Sequence, residues 1–262
     1  MDPAGRVTWL GHATALLEVD GARLLTDPVL RPRVGHLRRL TPVPADPGRL
    51  DAILVSHAHH DHLHLPSIRR LDPAAPVLAA PGAARALRRS GRTVHELAPG
   101  DELDVAGVRV RAVPAAHDGR RVPLGAAVDA VGFVVAGSQR VYFAGDTERF
   151  AGMAEIDDAL DAALLPVAGW GPRLGPGHMD PRQAAEALVL LRPTLAVPIH
   201  WGTYAPASLR GRGPDIAPPD AFAANAAELA PGDPGASEAA SPRRGRPCDD
   251  DRHLARRDGA VR

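Results

Sequence analysis

The sequence predicts a single α/β domain, and three observations carry that reading. Short apolar runs at 52–55, 77–80 and 94–97 alternate with helical segments that begin at Pro66 and near Gly82, the rhythm of strand–helix–strand units. Apolar runs joined by tight turns flank this stretch on both sides, as antiparallel strands do. At 262 residues and 45% hydrophobic, the chain has material for one substantial core and not for a second full domain.

In chain order, strands are expected at 7–10, 15–19 and 22–25, the last two joined by Asp20-Gly21, a hairpin signal. The Pro- and Arg-rich stretch 28–47 is too long for a simple connection and reads as either a functional or a mobile loop, one that could form a wall of a site. After the strand at 52–55 come a short helix over 66–71, a strand at 77–80, a helix over 82–89 and a strand at 94–97. Runs at 105–113, 131–136 and 140–144 read as antiparallel strands, the last pair turned by Gly137-Ser138. A strand at 162–165 leads into a Gly/Pro-rich loop at 167–179. Asp180-Pro181-Arg182-Gln183 then opens a helix reaching Leu191, with Asp as N-cap, Pro at the first helical position and Gln placed to reach back. A last strand at 195–199 and a helix at 221–229 complete a domain over 1–230. From 231 to 262 apolar residues give way to Pro, Gly, Ser and mixed charge, which predicts a disordered tail.

Composition removes several function classes. The 31 basic and 31 acidic residues balance, every base is arginine, and no global field draws nucleic acid or an anionic membrane. The arginines Arg243, Arg244 and Arg246 are offset by Asp249, Asp250 and Asp251. Cys248 is the only cysteine, so any metal must be held by His and Asp. Met1 to Arg6 lacks the basic start and apolar core of a secretory signal, and no run approaches the ~20 apolar residues of a membrane span. The expectation is a cytoplasmic protein without stable membrane association that acts on a small molecule.

The chemistry is concentrated in Ser56-His57-Ala58-His59-His60-Asp61-His62, which follows the 52–55 strand directly. Three more polar residues each follow a predicted strand: His117, Asp146 and His200. His57, His59 and His117 supply three neutral nitrogens to one metal and leave a fourth position open, as a catalytic site requires. Asp61, His62 and His200 hold a second metal, and Asp146 bridges the two. Two zinc ions are the expected cofactors, with manganese or iron as the other candidates. His178 precedes the Asp180 cap on a loop at a strand end, which places it to act as proton donor or oxyanion stabiliser without ligating. Trp170 and Trp201 flank the site loops as pocket walls, with core packing, the usual fate of Trp, as the alternative. Arg31, Arg33, Arg38 and Arg39 read as a solvated loop, with an anion clamp as the sharper alternative. His12 lines the site floor or closes a turn, His60 and His64 face away, and His36 and His95 lie on the surface.

The set His57-x-His59-x-Asp61-His62 with His117, Asp146 and His200 resembles the metallo-β-lactamase superfamily. Trp9-Leu10-Gly11-His12-Ala13-Thr14, Thr26-Asp27-Pro28, Phe143-Ala144-Gly145-Asp146-Thr147, His178-Met179-Asp180-Pro181 and His200-Trp201-Gly202-Thr203 are similar to the branch containing N-acyl-phosphatidylethanolamine phospholipase D and the L-ascorbate-6-phosphate lactonase-like proteins, from about Arg6 to Phe222. The resemblance implies a four-layer αββα sandwich with a dinuclear site at one edge of its two sheets. It also implies that Asp27 and Thr147 orient ligands. The function this implies is a dinuclear zinc-dependent hydrolase, in which a metal-bridging hydroxide attacks a phosphodiester, lactone, ester or amide. Asp61 and His178 would take the catalytic roles. An iron-dependent oxidoreductase on the same fold and a non-catalytic metal-binding module are the alternatives. The complete ligand set and the lack of flavin-domain sequence favour the hydrolase.

Overall fold

The computed structural model describes residues 5–88, 90–119, 129–169, 174–209, 215, 217–229 and 251–253. The chain opens as an antiparallel meander of β1 (Arg6–Gly11), β2 (Thr14–Val19) and β3 (Ala22–Thr26). Asp20 and Gly21, at φ 50° and 86°, make the tight turn that their residue types predict. β4 (Arg33–Val34) and β5 (Leu37–Arg39) occupy the 28–47 stretch. Then come β6 (Ala52–Val55), α1 (Leu65–Ile68), β7 (Val77–Ala79), α2 (Pro81–Leu87) and β8 (Val94–Glu96), the expected strand–helix–strand units. β9 (Glu102–Val105), β10 (Val108–Asp118), β11 (Asp129–Ala136) and β12 (Arg140–Phe143) are antiparallel. A 3₁₀ turn at Ala151–Glu155 leads to β13 (Ala162–Pro166), α3 (Pro181–Leu191), β14 (Leu195–Ile199), β15 (Tyr204–Pro206), α4 (Ala217–Leu229) and β16 (Asp251–His253).

These elements form two large sheets, ordered β16-β1-β2-β3-β6-β7-β8 and β14-β13-β12-β11-β10-β9, with β15-β5-β4 as a small third. Strand alternation fixes the layering, because successive side chains point to opposite faces. On β6, Ala52 and Leu54 join the core that also holds Val110, Phe133, Tyr142 and Leu164 of the second sheet, while Ile53 and Val55 pack with Ile68, Ala83 and Leu87 of the α1–α2 layer. Leu17, Leu24 and Leu78 face the inner core, and Leu16, Leu25 and Val77 face the helices. On the far side, α3 buries Ala184, Ala185, Ala187, Leu188 and Leu191 and packs against α4. The result is the four-layer αββα sandwich.

Three details depart from the sequence reading. The run 105–113 is two strands, because Ala106 and Gly107 turn at φ 48° and 94°; alanine is a poor guide to a left-handed turn, and the apolar pattern continues through it. The helix expected at 221–229 begins four residues earlier. Within the tail expected to be disordered, Asp251–His253 pair antiparallel with β1, Arg6 opposite His253. A ladder needs backbone donors and acceptors rather than apolar side chains, and β1 offers an open edge. The rest of that tail, with Cys248 and its arginines, lies outside the described residues.

The arrangement brings functional segments to one edge. β3, β6 and β7 run parallel in the first sheet, and β12, β13 and β14 in the second, and the connections leaving β3, β6, β12, β13 and β14 carry Asp27, His57, Asp146, Ala168 and His200. The α3 entry is fixed by its cap. Asp180 Oδ1 accepts from Gln183 N at 2.8 Å, and Gln183 Oε1 accepts from Asp180 N at 3.0 Å. Removing the side-chain acceptor in Asp180→Ala is expected to cost about 1 kcal/mol. Thermal unfolding should then show a Tm lower by about 2–4 °C; an unchanged Tm would show that the cap contributes nothing.

Candidate metal centre

Much of the edge is built from backbone held at unusual angles. His12, Asp27 and His200 lie at φ 56°, 31° and 64°, three of the six non-glycine residues with positive φ among those described. Such strain persists where surrounding bonds over-determine the conformation. Gly145 stands at φ 61°, and a Cβ there would lie 2.6 Å from Cβ of Ser56, so glycine lets the Asp146 turn approach the His57 turn.

The seven expected ligands converge as two neighbouring groups, the second of which also takes in His12. One ligand atom each from His57, His59, His117 and Asp146 lies within 4.8 Å of the others. His12, Asp61, His62 and His200 form a second such group. Asp146, 2% exposed, stands between them: its Oδ2 is 3.0 Å from His62 Nε2 and 3.8 Å from His57 Nε2, and its Oδ1 is 3.2 Å from His200 Nε2. Asp61 Oδ2 lies 3.9 Å from His62 Nε2 and 3.8 Å from His200 Nε2. His178 Nε2 reaches Asp146 Oδ2 at 3.2 Å and adds a further grouping with His200.

The donor set suits cations. His62 Nε2 and His200 Nε2 approach to 3.1 Å, and His117 Nε2 and His59 Nδ1 to 3.2 Å, so ring nitrogens aim at shared points rather than at partners of their own. His57 Nε2 and Asp146 Oδ1 are buried without a hydrogen bond, the kind of orphaned polar atom a ligated metal satisfies. All are hard oxygen or borderline nitrogen donors, the ligands zinc, manganese and iron accept.

The opposite nitrogen of most rings is tied back, which fixes which nitrogen could ligate. His62 Nδ1 is 2.7 Å from Asp27 Oδ2, His117 Nδ1 donates to the Gly177 carbonyl at 2.7 Å, and His200 Nδ1 donates to the Ala168 carbonyl at 2.9 Å. His57 Nδ1 lies 3.0 Å from Ser56 Oγ. Asp27, fully buried, also accepts from Ser56 N at 2.8 Å and Ser56 Oγ at 2.5 Å.

Electrostatics sorts these rings. Burial, reinforced by neighbouring imidazoles, holds His57 well below the usual range, His59 at about 4 and His117 low. Burial takes His200 to about 3 even though Asp146 pulls the other way. These four are therefore neutral near pH 7, the form that ligates. Burial also disfavours a charged His62, but Asp146 and Asp27 together outweigh it and raise the ring well above its usual value. For His178, hydrogen bonding to Asp146 overcomes burial and lifts it to about 9. Burial opposes ionisation of Asp146, yet His200 and His62 hold it well below the carboxylate range.

Other expected residues fall elsewhere. Thr147 orients no ring: its Oγ1 accepts from Ala116 N at 2.9 Å, steadying the backbone one residue before His117. Trp201 is no pocket wall, because its ring stacks on Trp9 at 4.6 Å within the core. Trp170 lies outside the described residues. Arg39 is neither solvated nor an anion clamp; its guanidinium binds the carbonyls of Leu10, Val29 and Pro42 and pins the 28–47 segment to the β1–β2 turn. His60 and His36 are exposed, and His64 caps nothing but contacts Ser67 Oγ at 2.8 Å. Sequence reasoning missed Ser56 and Glu148. Glu148 Oε1 accepts from Gly177 N at 2.7 Å, and the same Gly177 holds His117, so one glycine ties the His178 loop to the first group. A Cβ at Gly177 would collide with His117 Nδ1, a constraint that the several glycines and prolines of this loop hide in the sequence.

Comparison with known proteins agrees with this architecture. Residues 22–201 match the family model described as the beta-lactamase superfamily domain. A protein named as a metal-dependent hydrolase from Methanopyrus kandleri is 36% identical over 210 residues, covering 77% of this chain and 86% of its own. The N-acyl-phosphatidylethanolamine-hydrolyzing phospholipase D 1 of Caenorhabditis elegans is 30% identical over 226 residues, covering 75% of this chain but only 64% of the phospholipase. Among solved structures, a metallo hydrolase from the archaeon Ignicoccus hospitalis superposes with a TM-score of 0.64 at 24% identity, over 86% of this chain and 91% of that one. On the family match and the shared fold, the chain belongs to the beta-lactamase superfamily, with the metallo-β-lactamase architecture its sequence resembles.

Proposed function

We propose that this chain, a metal-dependent hydrolase of the superfamily, works through two zinc ions and cleaves a small substrate at a phosphoryl or carbonyl centre. The observation that carries this reading is the position of Asp146 between two histidine groups whose free nitrogens face one another. His57, His59 and His117 would hold the first ion, Asp61, His62 and His200 the second, and Asp146 both. When bound, such a pair supplies Lewis acidity and a water ionised near neutral pH.

The residues beside the ligands supply the rest. His178, 19% exposed at its side chain, stands at the rim with Nε2 toward Asp146 and carries a proton at neutral pH, so it can donate to a leaving group or to a developing oxyanion. Asp61 stays ionised: burial disfavours the charge, but the hydrogen bond from His12 outweighs it, and the carboxylate is available to orient the attacking water. A pocket of about 180 Å³ is lined by Ala168, Gly169, Leu174 and Asp180, on and beside the loop that carries His178. A larger pocket of about 320 Å³ lies behind the β1–β2 turn, and neither pocket is lined by any of the candidate ligands. Phosphodiesters come first among the substrate classes, supported by the activity named for the nematode relative; lactones, esters and amides follow.

The substrate class is tested by offering zinc-loaded protein bis-p-nitrophenyl phosphate, acyl-homoserine lactones and acyl-phospholipids in parallel. Turnover of the phosphodiester above the others is expected, and turnover of none would overturn a hydrolytic role. Asp146→Ala should lower bound metal toward one ion or none and abolish hydrolysis; two ions with near-native turnover would remove the carboxylate from the bridge. His178→Ala should keep its metal content while turnover falls roughly 10²–10³-fold. The defect should shrink on p-nitrophenyl substrates if His178 protonates the leaving group, and native rates on esters of both high and low leaving-group pKa would exclude it from the chemistry.

A further inference from the structure

His12, whose hydrogen bond keeps Asp61 ionised, is built more deeply into the site than that one contact requires. It forms the bend between β1 and β2, is 1% exposed, and is fixed on three sides: its N–H donates to Thr203 Oγ1 at 2.7 Å, and its carbonyl accepts from Trp9 Nε1 at 2.8 Å and from His200 N at 2.9 Å. The ring lies over His200 with centroids 4.0 Å apart and meets Tyr204 edge-on at 5.5 Å. Its Nε2 is 3.0 Å from Asp61 Oδ2.

We propose that His12 is a positioning residue for the second metal: its ring fixes the Asp61 carboxylate by donating from Nε2, while its carbonyl fixes the backbone of His200. The direction of the bond follows from the partners. An ionised carboxylate only accepts, so the proton of the 3.0 Å contact belongs to Nε2. A nitrogen that carries this proton has no lone pair for a metal, so His12 is a donor and not a fourth ligand, although its nitrogen falls within the same 4.8 Å group. The device mirrors the one at His62, where a carboxylate orients a ring; here a ring orients a carboxylate. Its backbone also serves the site, since the left-handed turn at φ 56° aims the His12 carbonyl at His200 N.

This inference rests on the two-ion reading, and the test separates them. The metal-free protein is titrated with zinc against a chromogenic chelator, comparing the natural chain with His12→Gln and His12→Met. The two variants have similar length and meet the same backbone strain, but only glutamine offers an N–H near the Nε2 position. His12→Met should weaken the second zinc equivalent by roughly 10–100-fold, leave the first unchanged, and keep the unfolding midpoint of the metal-free protein near that of His12→Gln. His12→Gln should recover most of the second affinity. Equal second-site affinity in all three proteins would overturn the proposal, as would a glutamine variant no better than methionine, or a methionine variant that alone fails to fold. Fewer than two equivalents taken up by the natural chain would instead overturn the two-ion reading itself.

Discussion

A carboxylate withdrawn almost completely from water is the constraint around which this edge of the protein is organised. Asp146 is 2% exposed and meets His62, His178 and His200 within 3.2 Å, with His57 at 3.8 Å. An isolated buried charge is costly, and only positive charge or strong donors offset it. The imidazoles do so in part, but four of them are held neutral near pH 7, and Oδ1 keeps no hydrogen bond. Bound metal would resolve that imbalance, and the surrounding His and Asp groups could hold it.

Rigidity comes from the layer behind the ligands. Asp27 bonds Ser56 through both backbone and hydroxyl and holds His62, so the ends of β3 and β6 and the His62 ring form a single buried unit. On the second sheet, Glu148, Gly177 and His117 form another, which anchors the loop carrying His178. Gly145 and Gly177 are required by close approach, not by the turns alone, since a Cβ at either would collide with Ser56 or His117. The two sheets thus contribute separate, preassembled halves, and the candidate ligands meet where their parallel strands end.

Local signals were legible in proportion to how local their physics is. The Asp20-Gly21 turn, the Asp180 capping box and the His57 to His62 cluster are each set within a few residues, and each stands where the sequence places it. His117, Asp146 and His200 could be gathered only by counting ligands at strand ends, and the fold does bring them together. What escaped depends on contacts between distant segments. Glu148 acts on Gly177, Arg39 on Leu10 and Val29, and Trp201 on Trp9, and no spacing rule reveals such pairs. The β16 ladder was hidden because it uses backbone alone, and Thr147 was misjudged because a motif position does not say which way a hydroxyl points.

The most direct test of this account is anomalous diffraction at the zinc edge from crystals of the metal-loaded protein. Two peaks are predicted, roughly 3.5–4 Å apart, one among His57, His59 and His117 and the other among Asp61, His62 and His200, with Asp146 between them. A single peak, or a second one lying away from His62 and His200, would contradict it.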